Sequence, residues 1–230
     1  MDAAIVVGVA VLGVLVSPFL LRLIVQVPAM ATVGYISDEA SPITPTIRER
    51  AVQVLTPAVF VLAGLRWGAS AVLVPFLLLA AVLVVVSMID LEHFRIPDRI
   101  VFPALAMSAA LIIFVSLIEG FDVVFVRNAF IGSIAYFTLL LVPHLIYPRG
   151  MGFGDVKLAL LMGLFLGWIY PDPFQVLGLV MWALVLGSGL GVLAGVGFAL
   201  LRGRRAEFPF GPALAFGCLL AIQFSDALVA

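Results

Sequence analysis

The stretch from Ala69 to Asp98, ASAVLVPFLLLAAVLVVVSMIDLEHFRIPD, decides the fold. Its segment from Ala69 to Ile89 carries no charge and is long enough, as a helix, to cross a hydrocarbon core of about 30 Å. The run stops abruptly at Asp90. A tight polar turn follows, and Pro97 with Asp98 opens the next apolar run, as proline and an acidic residue do in a first helical turn. Working outward, similar runs span Ala3 to Val25, Ala51 to Leu65, Ile100 to Ile118, Ala129 to Tyr147, Val156 to Tyr170, Phe174 to Leu201 and Phe208 to Phe224. The expected fold class is therefore all-α: a polytopic membrane protein of about eight transmembrane helices.

Composition points the same way. Of 230 residues, 64% are hydrophobic and 11% charged, far from the mixture of a soluble domain. A mean hydropathy of +1.29 excludes a solvated disordered chain. The net charge of −1 supplies no basic field for a nucleic-acid backbone, so nucleic acid is not an expected partner and the lipid bilayer is. Cys218 stands alone, with no CxxC pair or Cys/His cluster, so neither a disulfide nor a zinc site is expected. The first apolar run lacks a basic leader region and reads as a retained helix rather than a cleaved signal.

No repeat or interdomain linker breaks the chain, which reads as one domain over residues 1–230. The polar break over residues 27–50 is expected to be a cytoplasmic loop. Basic residues set orientation. With both termini outside, Arg22, Arg48, Arg50, Arg95, Arg99, Arg149, Lys157, Arg202, Arg204 and Arg205 fall on the cytoplasmic side and only Arg66 and Arg127 on the other. Small residues spaced by four, at Gly187, Gly191 and Gly195 and at Ala159, Gly163 and Gly167, predict close helix contacts. Asp155 extends the second stripe by one step, which turns its carboxylate toward a neighbouring helix rather than lipid.

Two acidic segments share the cytoplasmic face. One is SMIDLEHFRIPDRI, Ser87 to Ile100; the other is GMGFGDVKLALLMG, Gly150 to Gly163. In the second, Gly152 and Gly154 permit backbone conformations closed to other residues, and with them a close approach of a substrate strand. Each acid also has a plainer explanation: Asp155 as a helix N-cap, Asp90 as an interfacial acid, Asp98 as a helix-start residue or partner of Arg95 or Arg99. Together, Asp90 and Asp155 can share a proton and divide acid and base work. One activates water against a peptide carbonyl while the other protonates the carbonyl oxygen, with no metal, cofactor or covalent nucleophile. Considering each acid's own helix, the dipole favours charge on Asp155 at an amino end and disfavours it on Asp90 at a carboxyl end. That assigns Asp155 as the initial base and Asp90 as the initial acid.

At these residues the sequence resembles the type IV prepilin peptidases, membrane aspartyl proteases of the GxGD class. The resemblance lies in IDLEHFRIPD, Ile89 to Asp98; in GFGDVK, Gly152 to Lys157; in PFGP, Pro209 to Pro212; and in PTIRERAVQVLTPAVFVLAGLRWG from Pro45, and it covers Pro45 to Ile222. It implies Asp90 and Asp155 as the catalytic pair, with Gly152, Gly154, Lys157, Pro97 and Asp98 as substrate-binding or supporting motif residues. It further implies an endopeptidase of the plasma membrane that cuts the leader from prepilin-like or preflagellin-like precursors, its active site facing the cytoplasm. Many members carry a cytosolic CxxC zinc insertion that this chain lacks, so N-methyltransferase activity is not carried over. The rival readings are a presenilin-like intramembrane protease, since Pro212, Ala213 and Leu214 spell PAL; a proton- or cation-coupled transporter with midplane acids; and an inactive assembly scaffold.

Other polar residues read as structural. His93 and Arg95 are expected to be solvated near the interface, Lys157 to snorkel or serve the site, His144 to pack. Ser188 lacks triad partners, and the basic run Arg202 to Arg205 anchors topology.

Overall fold

The structure, a computed structural model, describes residues 3–31, 44–148, 151–202 and 209–229. Arg149, Gly150 and the basic run at Arg204 and Arg205 lie outside the described residues, as does half of the expected loop, residues 32–43.

The described residues form α1 (Ala3–Ala31), α2 (Pro45–Trp67), α3 (Leu73–His93), α4 (Asp98–Ile118), α5 (Val123–Ile146), α6 (Phe153–Gly167), α7 (Pro173–Arg202), α8 (Gly211–Gln223) and a short α9 (Ser225–Leu228). Each of the eight apolar runs corresponds to one of α1 to α8. Five of them, α1, α3, α4, α5 and α7, are long and apolar enough to cross a membrane. At 1.5 Å per residue α6 is only about 22 Å long. Most of it is buried inside the bundle, as is most of α3, so the helices that carry Asp155 and Asp90 form its centre.

The polar break is narrower than residues 27–50. Helix α1 continues to Ala31 and α2 already begins at Pro45. Hydropathy marks where a helix is greasy, not where it starts. Here Thr44 caps α2 by accepting from the Ile47 amide, and Pro45 occupies the first turn, where its missing N–H costs nothing.

The small-residue stripes make the closest helix contacts. Gly163 and Gly167 of α6 lie against Gly132 and Asn128 of α5, and a β-carbon at Gly163 would meet the Gly132 carbonyl group. Ser133 fixes that register by donating to the Leu160 carbonyl at 2.8 Å. On α7, Gly187 lies against Leu214 of α8, with a β-carbon 3.0 Å from its backbone, and Gly191 lies against the Phe210 ring. Apolar side chains such as Leu15, Leu117 and Phe174 point outward, as expected of a lipid-facing surface.

At the bundle end opposite the two acids, Arg66 grips Asp226 through Nη1 and Nη2 at 2.6 and 2.8 Å, and Tyr170 donates to the same carboxylate at 2.7 Å. These donors hold the Asp226 carboxyl below the usual carboxylate range. The clasp ties the segment after α8 to α2.

Candidate active site

The opposite end gathers the ends of α2, α3, α4, α6 and α8. Asp90 sits in the last turn of α3 and Asp155 in the first turn of α6, only 5% and 6% exposed. Both line one cavity of about 280 Å³, together with Phe94, Arg95, Ile96, Gly152, Gly154, Lys157 and Pro209. Side chains separated by 65 positions in sequence thus face one space.

Asp155 is not the helix cap. Gly152 occupies that position and Asp155 lies three residues inside, its side chain folded back toward the backbone of Gly152. Its Oδ1 is buried without a hydrogen-bond partner. Asp90 is not a solvated interfacial acid either, because its Oδ2 accepts the backbone N–H of Gly211 at 3.0 Å in a buried hydrogen bond. Gly211 opens α8 and belongs to the PFGP segment. The amino end of α8 therefore meets Asp90, a neighbour that the dipole of Asp90's own helix does not reveal.

Neither motif glycine uses an unusual dihedral, and Gly154 acts by packing. Gly152 has φ −66°, and the described residues with positive φ are Phe94, Gly68 and Gly120. At Gly154 a β-carbon would stand 2.8 Å from the Ile96 β-carbon, so this glycine lets the two acidic segments touch. The left-handed residue is Phe94, which closes α3 with its N–H on the Asp90 carbonyl at 2.8 Å. A bulky residue in that region is uncommon and fits a turn fixed by its surroundings.

Asp98 is the first residue of α4, as expected, and it pairs with a residue far along the chain, Lys157. Lys157 Nζ donates to both its oxygens at 2.7 and 2.8 Å. Lys157 also lies over the Phe153 ring at 4.9 Å. This pair joins the start of α4 to the start of α6 beside the cavity, while Pro97 occupies the cap position of α4. His144 packs as expected: its Nδ1 lies 2.9 Å from the Met151 carbonyl oxygen, which can only accept, so Nδ1 carries the proton.

Two supporting features were not singled out from sequence. Glu92 is buried and receives Arg48 of α2 at 3.1 Å, with His93 Nε2 3.8 Å away. This pair pins the end of α3 two residues past Asp90. The second acid in IDLEH, two residues past Asp90 at the end of a long apolar helix, was the available signal. Gly211 was visible within PFGP, but only the fold gives it a partner. Among the described residues, no group of three or more His, Cys, Asp or Glu side chains could hold a metal ion.

A family model described as the type IV leader peptidase family matches residues 77–200, which include both acids. The chain is 32% identical to a prepilin leader peptidase/N-methyltransferase of Bacillus subtilis (strain 168), over 78% of this chain and 67% of the relative. A protein of the same name from Aeromonas hydrophila is 32% identical over 76% of this chain and 56% of its own length. Another from Pseudomonas putida is 33% identical over 80% and 62%. The matches thus span between about half and two thirds of these longer relatives. No solved structure matches the chain.

Proposed function

Because this chain belongs to the type IV leader peptidase family, we propose that it is an aspartyl endopeptidase that removes the leader from prepilin-like or preflagellin-like precursors. The observation that carries this reading is the convergence of Asp90 and Asp155 on one cavity. One carboxylate takes a proton from water as the water oxygen attacks the scissile carbonyl carbon, and the other carboxylic acid gives its proton to the carbonyl oxygen. The tetrahedral intermediate collapses with cleavage of the C–N bond, the departing nitrogen receiving the proton first taken from water while a hydroxyl of the intermediate returns a proton to the second carboxylate. The dyad returns to its starting protonation with no net proton gained or lost.

The substrate chemistry follows the cavity's position. A precursor whose hydrophobic helix packs along the bundle would present its extended cleavage segment beside Gly152 and Gly154, leaving a polar leader in water. The acids stand in terminal helical turns rather than at midspan, which favours boundary cleavage over a midplane transport site. Arg48, Arg95, Arg99 and Lys157 lie at this end and Arg66 and Arg127 at the other, which supports a cytoplasmic active site in the plasma membrane, with both termini outside.

The test is to incubate the purified chain with a prepilin-like precursor and measure the mass of the new amino terminus. A cut between the polar leader and the hydrophobic helix is expected; an intact precursor, or a cut within the helix, contradicts the reading. The relatives' names include N-methyltransferase, and a 14-dalton increment on the same peptide would add that activity here.

A further inference from the structure

We infer that Gly211 is a positioning residue for the dyad, and that its backbone N–H holds Asp90 as the ionised base while Asp155 carries the shared proton. This rests on the aspartyl-protease reading and reverses the assignment drawn from each acid's own helix.

Three observations carry it. The Gly211 N–H donates to Asp90 Oδ2 at 3.0 Å in a buried site. A donor aimed at a carboxylate favours its charged form, more so at the amino end of a helix such as α8. Second, Asp155 Oδ1 is buried with no hydrogen-bond partner. The Gly152 backbone supports the other oxygen, but a charge left with one oxygen buried and unpartnered is costly, whereas a neutral carboxyl is cheaper there and has an O–H to offer the substrate carbonyl. Third, a β-carbon at residue 211 would lie 2.8 Å from Asp90 Oδ2 and 3.3 Å from its Cγ, so a side chain there would push the carboxylate off its donor.

Two of the surrounding charges, Lys157 and Glu92, are engaged by other residues. From α6, Lys157 is engaged by Asp98 of α4, and Asp155 is the like-charged neighbour. Glu92 on α3 is engaged by Arg48 of α2. Arg95 lines the cavity from the turn after α3, and Tyr136 of α5 lies within electrostatic reach of both Asp155 and Cys218 of α8. In the chemical step Asp90 takes the water proton, and Asp155 transfers its own to the carbonyl oxygen as the C–O bond forms.

The test is isotope-edited infrared spectroscopy near neutral pH on the purified full chain, carrying aspartate labelled with carbon-13 at the side-chain carboxyl. The neutral-carboxyl stretch should be present in the wild type, kept in Asp90→Asn and lost in Asp155→Asn. In the Asp155→Asn background, replacing the Gly211 backbone amide by an ester, or Gly211→Ala, should bring the band back by releasing Asp90 from its donor. The inference is overturned by a band absent from the wild type, lost in Asp90→Asn, kept in Asp155→Asn, or not restored by the change at residue 211. Cleavage of a prepilin-like precursor by the same wild-type sample separates the two ideas. The expected band pattern without cleavage removes the proposed function but leaves the proton assignment, and cleavage with the opposite pattern does the reverse.

Discussion

The contact between Gly154 and Ile96 makes a quantitative prediction. Gly154→Ala places a methyl group 2.8 Å from the Ile96 β-carbon and 3.4 Å from its amide nitrogen. Carbon atoms rest at about 3.5–4.0 Å, so the two acidic segments must separate by about 0.7–1.2 Å. Neither contact atom is the free end of a flexible side chain, so the movement falls on the backbone that carries Asp155 and on the turn after Asp90. Overpacking of this size costs about 1–3 kcal/mol of stability, which leaves the chain folded. A misplacement near 1 Å at a reacting site costs about a hundredfold in turnover. Steady-state cleavage of a prepilin-like precursor should therefore show kcat reduced about a hundredfold, with a small fall in the midpoint of thermal unfolding. Ile96→Gly removes the opposing β-carbon, so Gly154→Ala should cost less than about tenfold when added to Ile96→Gly, a non-additivity expected of touching residues. Wild-type turnover in Gly154→Ala, or an undiminished loss in the Ile96→Gly background, would refute the packing role assigned to this glycine.

Three further outcomes follow from the ion pairs. Arg48→Met leaves Glu92 buried without its guanidinium and should destabilise the chain by about 3 kcal/mol, the low end of such losses because His93 stands 3.8 Å away; thermal unfolding in detergent reads it, and Glu92→Gln in the Arg48→Met background should recover part of the loss. Asp98 is half exposed, so Asp98→Asn should cost no more than about 1 kcal/mol of stability, yet cleavage kinetics should show a drop in kcat that the exchanged pair Asp98→Lys/Lys157→Asp partly restores. The Asp226 carboxyl is held low by Arg66 and Tyr170, so its contribution is complete above the ordinary carboxylate value of about 4 and is lost as pH falls below it; the small unfolding-midpoint difference between wild type and Asp226→Asn should be constant from neutral to mildly acidic pH and shrink below that value.

Sequence reading reached the helices because membrane burial leaves a long, uncharged signature, as from Ala69 to Ile89. It was less able to find their ends: α2 starts at a capped threonine in a polar segment, where hydropathy is silent. Asp90 and Asp155 stood out because each interrupts an apolar run at a helix end. What they face depends on contacts between helices far apart in the chain. The Gly211 amide on Asp90 joins residues 121 positions apart, and Lys157 on Asp98 joins residues 59 apart. Nothing local in either segment states those pairings. Gly154 illustrates the same limit, since its chemistry permits both an unusual backbone angle and a tight contact, and only the fold selects the contact.

The central claim is that one catalytic unit needs both carboxylates. Its most direct measurement is turnover of a prepilin-like precursor by purified Asp90→Asn and Asp155→Asn, each compared with the double variant and each verified as folded and membrane-inserted. The account predicts that either single change abolishes cleavage and that combining them lowers it no further. Substantial cleavage by either single variant would contradict it.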